Sequence, residues 1–178
     1  MFKCQKEFQE ILITEEQIAK RVEELGLQIT KDYDGEPVLL VGILKGSVPF
    51  MADLMRKIDL DVTIDFMSVS SYGAGTVTSG EVKIKKDLDT DIEGKNVIIV
   101  EDIVDTGLTL SLLKKKLLER NPKSLKICTA LDKPSRRRAD IKADYIGFEI
   151  EDKFIVGYGL DTDQRCRQLP YISWMKEE

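Results

Sequence analysis

The sequence of 178 residues contains no histidine. This absence excludes histidine-based catalytic triads, histidine metal ligands and a histidine general base, so acid–base chemistry falls to carboxylates, lysine, tyrosine or cysteine. Only three cysteines occur, Cys4, Cys128 and Cys166. Their wide spacing and odd number indicate neither a metal-binding pair nor a disulfide framework. Such cysteine usage is typical of a reducing compartment and predicts a cytoplasmic location.

Long apolar runs are also missing. No segment approaches the length of a membrane-spanning helix, and the N-terminal stretch MFKCQKEFQEILITEEQ lacks the apolar core of a signal peptide. The net charge of −5 argues against nucleic acid as the main partner, because nucleic-acid-binding proteins usually carry a basic excess. The two standard glycine-rich nucleotide motifs are absent as well. We therefore expect no membrane and no nucleic acid as partners.

What the sequence does contain is an alternation of strand-like and helix-like segments. Continuous apolar runs at 38–43, 96–102 and 124–132 are typical of strands buried on both faces. Helical patterns fill much of the space between them, at 48–58 and 109–120. This alternation predicts an α/β fold with a doubly wound, mostly parallel sheet and flanking helices. The length suits a single domain spanning residues 1–178.

The remaining elements are predicted from weaker patterns. A helix is expected after a capping box formed by Thr14 and Gln17, with Ile18, Val22, Leu25 and Ile29 on one face. Further strands are expected at 61–72, 144–150 and 154–161.

Chemically distinctive residues lie at the ends of three of the predicted strands. They are Lys45-Gly46-Ser47, Glu101-Asp102 and Asp132-Lys133. Ligands of doubly wound sheets bind outside the carboxyl ends of the strands, near the point where the strand order reverses. The three segments therefore predict one shared site.

The stretch VIIVEDIVDTGLTL indicates what that site holds. The loop from Asp105 to Thr109 leads into a helix, whose first amides are unpaired and attract an anion, and Gly107 permits close approach of the backbone. The loop can therefore hold a phosphate. Glu101 and Asp102 repel that phosphate, so they need sugar hydroxyls or a cation such as Mg²⁺ as partners. A phosphate loop beside such acids predicts a site for a ribose 5-phosphate.

These residues resemble the phosphoribosyl-diphosphate (PRPP) loop of the type I phosphoribosyltransferases. The wider chain, from about Val38 to Tyr171, resembles the bacterial-type hypoxanthine-guanine phosphoribosyltransferases. The segments that carry the resemblance are LVGILKGS, DFMSVSSYG, VKIKKDLD, ALDKPSRR, IGFEIEDKFIVGYGLD and CRQLP. It implies Mg²⁺-dependent transfer of phosphoribose from PRPP to a 6-oxopurine, with release of pyrophosphate, in purine salvage.

The resemblance also implies roles for single residues. Glu101 and Asp102 hold the ribose hydroxyls, directly or through Mg²⁺, and Asp161 is a further metal ligand. Asp105 is the general base close to N7 of the purine, a task that suits a carboxylate. The 5-phosphate is bound by the loop made of Asp105, Thr106, Gly107, Leu108 and Thr109.

The other implied roles concern the diphosphate, the base and a lid. Lys45 and Gly46 belong to a pyrophosphate loop, where the family often has a non-proline cis peptide, and Arg167 contacts the pyrophosphate. Lys133 donates to the 6-oxo group, Phe154 stacks on the base and Ile155 offers backbone contacts. Ser71 and Tyr72 form the tip of a lid expected over 70–81. A small hood formed by the N- and C-terminal segments covers the base.

Several alternatives remain open from the sequence. One is a nucleic-acid-binding regulator on the same fold, such as the pyrimidine attenuation protein, and another is a xanthine-preferring enzyme. A transferase acting on adenine, uracil or orotate should not carry LDKPS together with DKFIVGYGLD. The run Arg136-Arg137-Arg138 is expected to be solvated or to contact a subunit. A homodimer or homotetramer is the implied assembly.

Overall fold

Two β-sheets and three helices make up the described part of the computed structural model, which covers residues 8–71 and 82–175. The helices are α1 (Glu15–Tyr33), α2 (Val48–Met55) and α3 (Leu108–Leu118). The strands are β1 (Phe8–Ile13), β2 (Val38–Ile43), β3 (Val62–Ser71), β4 (Val82–Lys86), β5 (Asn96–Val104), β6 (Ser124–Asp132), β7 (Tyr145–Glu149), β8 (Ile155–Val156) and β9 (Ile172–Met175).

The larger sheet has six strands in the order β4-β3-β2-β5-β6-β7. All its pairings are parallel except the one between β3 and β4 at one edge. From β2 the chain first moves to β3 on one side and later to β5 on the other. The strand order therefore reverses between β2 and β5, which is where such sheets bind ligands. The predicted α/β fold with a mostly parallel sheet is confirmed.

Helices cover both faces of this sheet. Leu39 and Val41 of β2 pack with α3 on one face, whereas Val38 and Leu40 pack with α1 and α2 on the other. All six residues of β2 are buried, so its continuous apolar run reflects contact with helices on both sides. The rigid double packing holds the ends of β2 and β5 at fixed positions.

The smaller sheet is antiparallel, in the order β1-β9-β8. It joins the two terminal parts of the described chain, with Ile13 opposite Ile172 and Ile155 opposite Trp174. This is the hood that the resemblance implied. No local pattern in the sequence predicts a strand at β1, β4 or β9. A strand is predicted over 154–161, of which only Ile155–Val156 forms one.

The element ends refine the other predictions. Thr14 and Gln17 form the predicted capping box of α1. Strand β5 ends at Val104, two residues later than predicted, because its pairing with β6 continues to Asp132. Cys128 is a buried free thiol, Cys166 is also buried, and Cys4 lies outside the described residues. None of the helices in the described ranges combines the length and the apolar character needed to span a bilayer.

Candidate active site

The three predicted segments meet at one edge of the six-stranded sheet. Lys45 and Gly46 follow β2, Asp105 follows β5, and Lys133 follows β6. The ends of β5 and β6 are joined there, since the amide of Lys133 donates to the carbonyl of Val104 at 2.9 Å. These residues lie at the same edge, and their use as one shared site stays a prediction.

Glu101 and Asp102 are the adjacent acids of this edge. Removal from water raises the pKa of the Glu101 carboxyl well above its usual range, and the charge of Asp102 raises it further. Burial also raises the pKa of Asp102, although its Oδ1 accepts a hydrogen bond of 2.8 Å from the Ile103 amide and the charge of Arg167 favours ionisation. The pair therefore holds negative charge at an electrostatic cost, which a cation or hydroxyl donors would relieve.

Gly46 lies directly against this pair. A methyl group at its α-carbon would overlap Oδ2 of Asp102, and one at Gly159, where φ is +99°, would overlap the carbonyl oxygen of Gly46. The loop after β2 is thus enclosed by Asp102 and by the 157–160 turn, and there is no room for a side chain at Gly46 or at Gly159. The non-proline cis peptide bond joins Leu44 to Lys45, at the start of this loop.

A polar cluster flanks the same loop. Nζ of Lys45 donates to Oε1 of Gln164 at 3.0 Å, and Nη2 of Arg167 approaches that oxygen at 3.3 Å. Arg167 also pairs with Asp161 at 2.7 Å and donates to the carbonyl of Gly159 at 2.7 Å. The structure therefore brings together the predicted site residues Lys45, Arg167 and Asp161. Gln164, which links them, was missed because nothing in the local pattern marks it.

Arg137 binds the main chain of the phosphate loop. Its guanidinium donates to the carbonyls of Asp105 at 3.1 Å and Ile141 at 2.7 Å, and it pairs with the buried carboxylate of Asp132. Gly107 lies against Arg137 and Ile141 and has a φ of +75°, so a side chain there would be both strained and obstructed. This packing positions the first turn of α3, which begins at Leu108.

One residue of the arginine run at 136–138 therefore has a different environment from the one expected. Arg137 is largely buried against the phosphate loop, so the expectation of a solvated or subunit-contact residue is wrong for it. Arg136 is partly exposed but contacts carboxylates, with Nε 2.8 Å from Oδ1 of Asp105. The run of arginines is visible in the sequence, but the groups that its charges contact could not be predicted from it.

Lys133 and the hood form the other end of the site. Lys133 is only 7% exposed, and its Nζ donates to the carbonyl of Lys153 at 2.6 Å. That bond places the ammonium beside the start of β8. Phe154 is 51% exposed and is therefore no core residue, whereas Ile155 is buried and pairs with Trp174. The exposed ring is free to take a stacking partner.

Two groups of predicted residues are not placed as a site by the structure. In the described ranges, no cluster of three or more Asp, Glu, Cys or His side chains is arranged to hold a metal ion, so Glu101, Asp102 and Asp161 form no preformed cage. Of the lid, Tyr72 and the rest of 72–81 lie outside the described residues. At the end of β3, Ser70 is described in full and Ser71 by its backbone alone.

One cavity of about 380 Å³ lies apart from these residues. It is enclosed by α1, α2 and the segment around Pro170, and Arg167 is the one predicted site residue in its wall. Neither the Glu101–Asp102 pair nor the phosphate loop lines it. The candidate chemistry therefore lies at the open edge of the sheet rather than in this cavity.

Comparison with known proteins agrees with this geometry. Residues 9–163 match the phosphoribosyl transferase domain family. A curated relative, the hypoxanthine-guanine phosphoribosyltransferase of Bacillus subtilis strain 168, is 56% identical over 170 residues, which is 96% of this chain and 94% of the relative.

Solved structures show the same relationship. A hypoxanthine phosphoribosyltransferase from Staphylococcus aureus is 53% identical, with a TM-score of 0.94, over 97% of this chain and 94% of that chain. A hypoxanthine-guanine phosphoribosyltransferase from Bacillus anthracis, with a HEPES molecule in its active site, is 54% identical, with a TM-score of 0.92, over 96% of this chain and all of the other.

Proposed function

This chain belongs to the phosphoribosyl transferase family and, within it, to the hypoxanthine-guanine phosphoribosyltransferases. From this premise we propose that it transfers the 5-phosphoribosyl group of PRPP to hypoxanthine and guanine. The products are IMP or GMP and pyrophosphate, and the reaction salvages purines. The observation that carries the proposal is the convergence of the acid pair, the phosphate loop and Lys133 at one edge of the sheet.

The phosphate end of the site binds PRPP. The loop from Asp105 to Thr109 binds the 5-phosphate through the unpaired amides at the start of α3. Lys45, Gly46 and Arg167 bind the pyrophosphate, and the cluster that they form with Gln164 supports this role. These groups supply positive charge and amide donors where charge develops on the departing pyrophosphate.

Glu101 and Asp102 hold the ribose hydroxyls, directly or through Mg²⁺. Mg²⁺ usually binds one or two carboxylates plus substrate phosphates and keeps several waters. An adjacent pair of desolvated carboxylates fits that requirement without a preformed protein cage. When bound, the metal neutralises diphosphate charge, and Asp161 is the third proposed ligand.

Asp105 acts as the general base. Its carboxylate accepts a proton from the purine as the base attacks C1 of the ribose, and its charge supports the oxocarbenium-like sugar. The side chain is partly exposed at the edge of the sheet, so a substrate can reach it. In a chain without histidine, a carboxylate at this position is a chemically sufficient base.

The base end reads a 6-oxopurine. Lys133 carries only donors, so it pairs with a 6-oxo group and not with a 6-amino group. The exposed ring of Phe154 stacks on the base, and Ile155 contacts its edge through the backbone. Ser71 and Tyr72 close over the reacting centre and keep water out.

We extend the proposal to assembly and location. A homodimer or homotetramer is the proposed assembly, by analogy with the family. The cytoplasm is the proposed compartment, and the free thiol of Cys128 agrees with a reducing environment.

A test of the base assignment is Asp105→Asn. The amide keeps the shape of the side chain but cannot accept the proton, so we expect kcat to fall by about 10²–10⁴-fold while the KM for PRPP changes little. Steady-state assays with PRPP, Mg²⁺ and hypoxanthine measure both constants. Asp140→Asn, an exposed acid between β6 and β7, is the matched control. An unchanged kcat in Asp105→Asn would rule out the assignment.

The overall activity is tested with the wild-type chain and five bases, hypoxanthine, guanine, xanthine, adenine and uracil. We expect transfer to hypoxanthine and guanine. A preference for xanthine would identify the alternative enzyme. No transfer to any base, together with salt-dependent RNA binding, would identify a regulator on the same fold.

A further inference from the structure

A chain of four charges links Asp105 to Lys133. Nε of Arg136 lies 2.8 Å from Oδ1 of Asp105, and Nη1 of the same guanidinium lies 3.2 Å from each carboxylate oxygen of Asp152. Oδ1 of Asp152 in turn lies 3.6 Å from Nζ of Lys133. The charges alternate in sign along this path, so each cation is flanked by acids and each acid by cations.

The contact between Arg136 and Asp105 is an ion pair rather than an aligned hydrogen bond. Oδ1 of Asp105 is shielded from water, and no donor in the described ranges forms a hydrogen bond with it. Arg136 therefore holds the carboxylate through charge at Oδ1, and the exposed part of the side chain, which is 41% accessible as a whole, is left to take a proton from another group. The backbone of Asp105 is held separately, by Arg137.

Lys133 is held in a comparable way at the other end. Its short bond to the carbonyl of Lys153 anchors the ammonium, and Asp152 draws it toward the Arg136 side. Nζ can form three hydrogen bonds, and the carbonyl of Lys153 occupies one of them, so donors remain for a substrate oxygen. Asp105 and Lys133, at the two ends of this path, are thus both oriented and both able to contact a substrate.

The chemistry of a 6-oxopurine explains why these groups need a common support. N7 and O6 lie next to each other on one edge of the ring system. A group that takes a proton from N7 and a group that donates to O6 must therefore keep a set spacing. Small errors in such positions have large kinetic effects.

We propose that Arg136 and Asp152 are a positioning pair that sets the spacing of Asp105 and Lys133 to the N7–O6 edge of the purine. This inference rests on the proposed function of Asp105 and Lys133. Neither member of the pair touches the substrate. Arg136 orients Asp105, which accepts the proton, and Asp152 orients Lys133, which donates to O6. The contact between Arg136 and Asp152 links the two residues.

The location of the pair makes a kinetic test possible. The side chains of Arg136 and Asp152 are 43% and 49% exposed, and exposed ion pairs contribute little to stability. Substitution should therefore leave the fold intact and change only the site. Loss of Arg136 removes the cation between two carboxylates and frees Asp152 to draw Lys133 away from the base.

The test compares Arg136→Ala with wild type for each substrate. We expect kcat/KM for hypoxanthine to fall by about 10–10²-fold, with contributions from both constants, while the KM for PRPP and the thermal midpoint stay unchanged. Arg136→Lys, which restores the charge without the planar fork, should recover part of the loss. Lys142→Ala removes an exposed cation from the same connection and should have no effect.

A double-mutant cycle with Asp152→Ala tests the link itself. If the two residues act along one path, the double variant should lose little more than Arg136→Ala alone. Fully additive losses, or a lower thermal midpoint with unchanged kinetic constants, would overturn the proposal. If Asp105→Asn and Lys133→Ala behave as expected while Arg136→Ala matches wild type, only this inference fails. Absence of transfer in the wild type would instead reject the proposed function.

Discussion

The phosphate end of the site is held mainly through the backbone, whereas the base end is held mainly through side-chain charges. At the phosphate end, Gly46 fits between Asp102 and Gly159 with no room for a methyl group, and Arg137 binds main-chain carbonyls. At the base end, Arg136 and Asp152 connect the functional groups by partly exposed ion pairs.

This difference matches the chemistry of the two parts of the substrates that bind there, a phosphate and a purine base. A phosphate is recognised by amides and cations that must approach closely, so the loops around it need fixed backbones and glycines. A purine edge is recognised by a few donors and acceptors, whose positions side chains can adjust. We expect substitutions at the phosphate end to damage binding or folding outright. Those at the base end should change the kinetics toward one substrate.

Among the substitutions that test this difference, the largest kinetic effect is expected for Gly46→Ala. The added methyl group would overlap Oδ2 of Asp102, so the loop or the acid pair must move. We expect kcat/KM for PRPP to fall by about 10²-fold or more. Gly35→Ala is the control, since its φ of +83° predicts backbone strain but no atom lies near the new methyl group. It should lower the thermal midpoint and leave the KM for PRPP unchanged. An active Gly46→Ala enzyme would contradict a backbone-held phosphate end.

The largest effect on stability is expected for Arg137→Met. The substitution removes the partner of the buried Asp132 carboxylate and the donors to two loop carbonyls. Breaking a buried ion pair in this way costs about 3–5 kcal/mol in the free energy of unfolding. Urea titration measures the loss, and adding Asp132→Asn should recover part of it. A loss no larger than that of Arg136→Ala would show that the two neighbours are held alike.

The smallest of these effects is expected for Lys133→Ala, at the base end. The lysine offers a charged donor to the 6-oxo group, and such hydrogen bonds are worth about 1.5–3 kcal/mol. We therefore expect the KM for hypoxanthine and guanine to rise about tenfold or more, with the KM for PRPP nearly constant. Initial-rate assays that vary each substrate in turn measure both. If PRPP binding fails instead, Lys133 belongs to the phosphate end.

The central sheet could be predicted because its signals are local. Residues 38–43 and 124–132 are apolar runs whose burial on both faces follows from their composition. The hood could not be predicted in this way. Strands β1 and β9 are short, and they pair across more than 150 residues of sequence, with Ile13 opposite Ile172. Local periodicity carries no information about such a partner, so these strands form only because tertiary packing brings the two segments together.

The acids near the end of β5, the glycine-containing loop after that strand and the lysine after β6 could all be located from the amino-acid sequence. Each lies at or just beyond the end of a buried strand, and parallel strands present these ends at one edge. The different environments of Arg136 and Arg137 could be seen only in the folded chain. The two are neighbours of the same type, yet one faces exposed carboxylates and the other faces buried carbonyls and Asp132. The partners of a charge come from other parts of the chain, and its own residue type does not specify them.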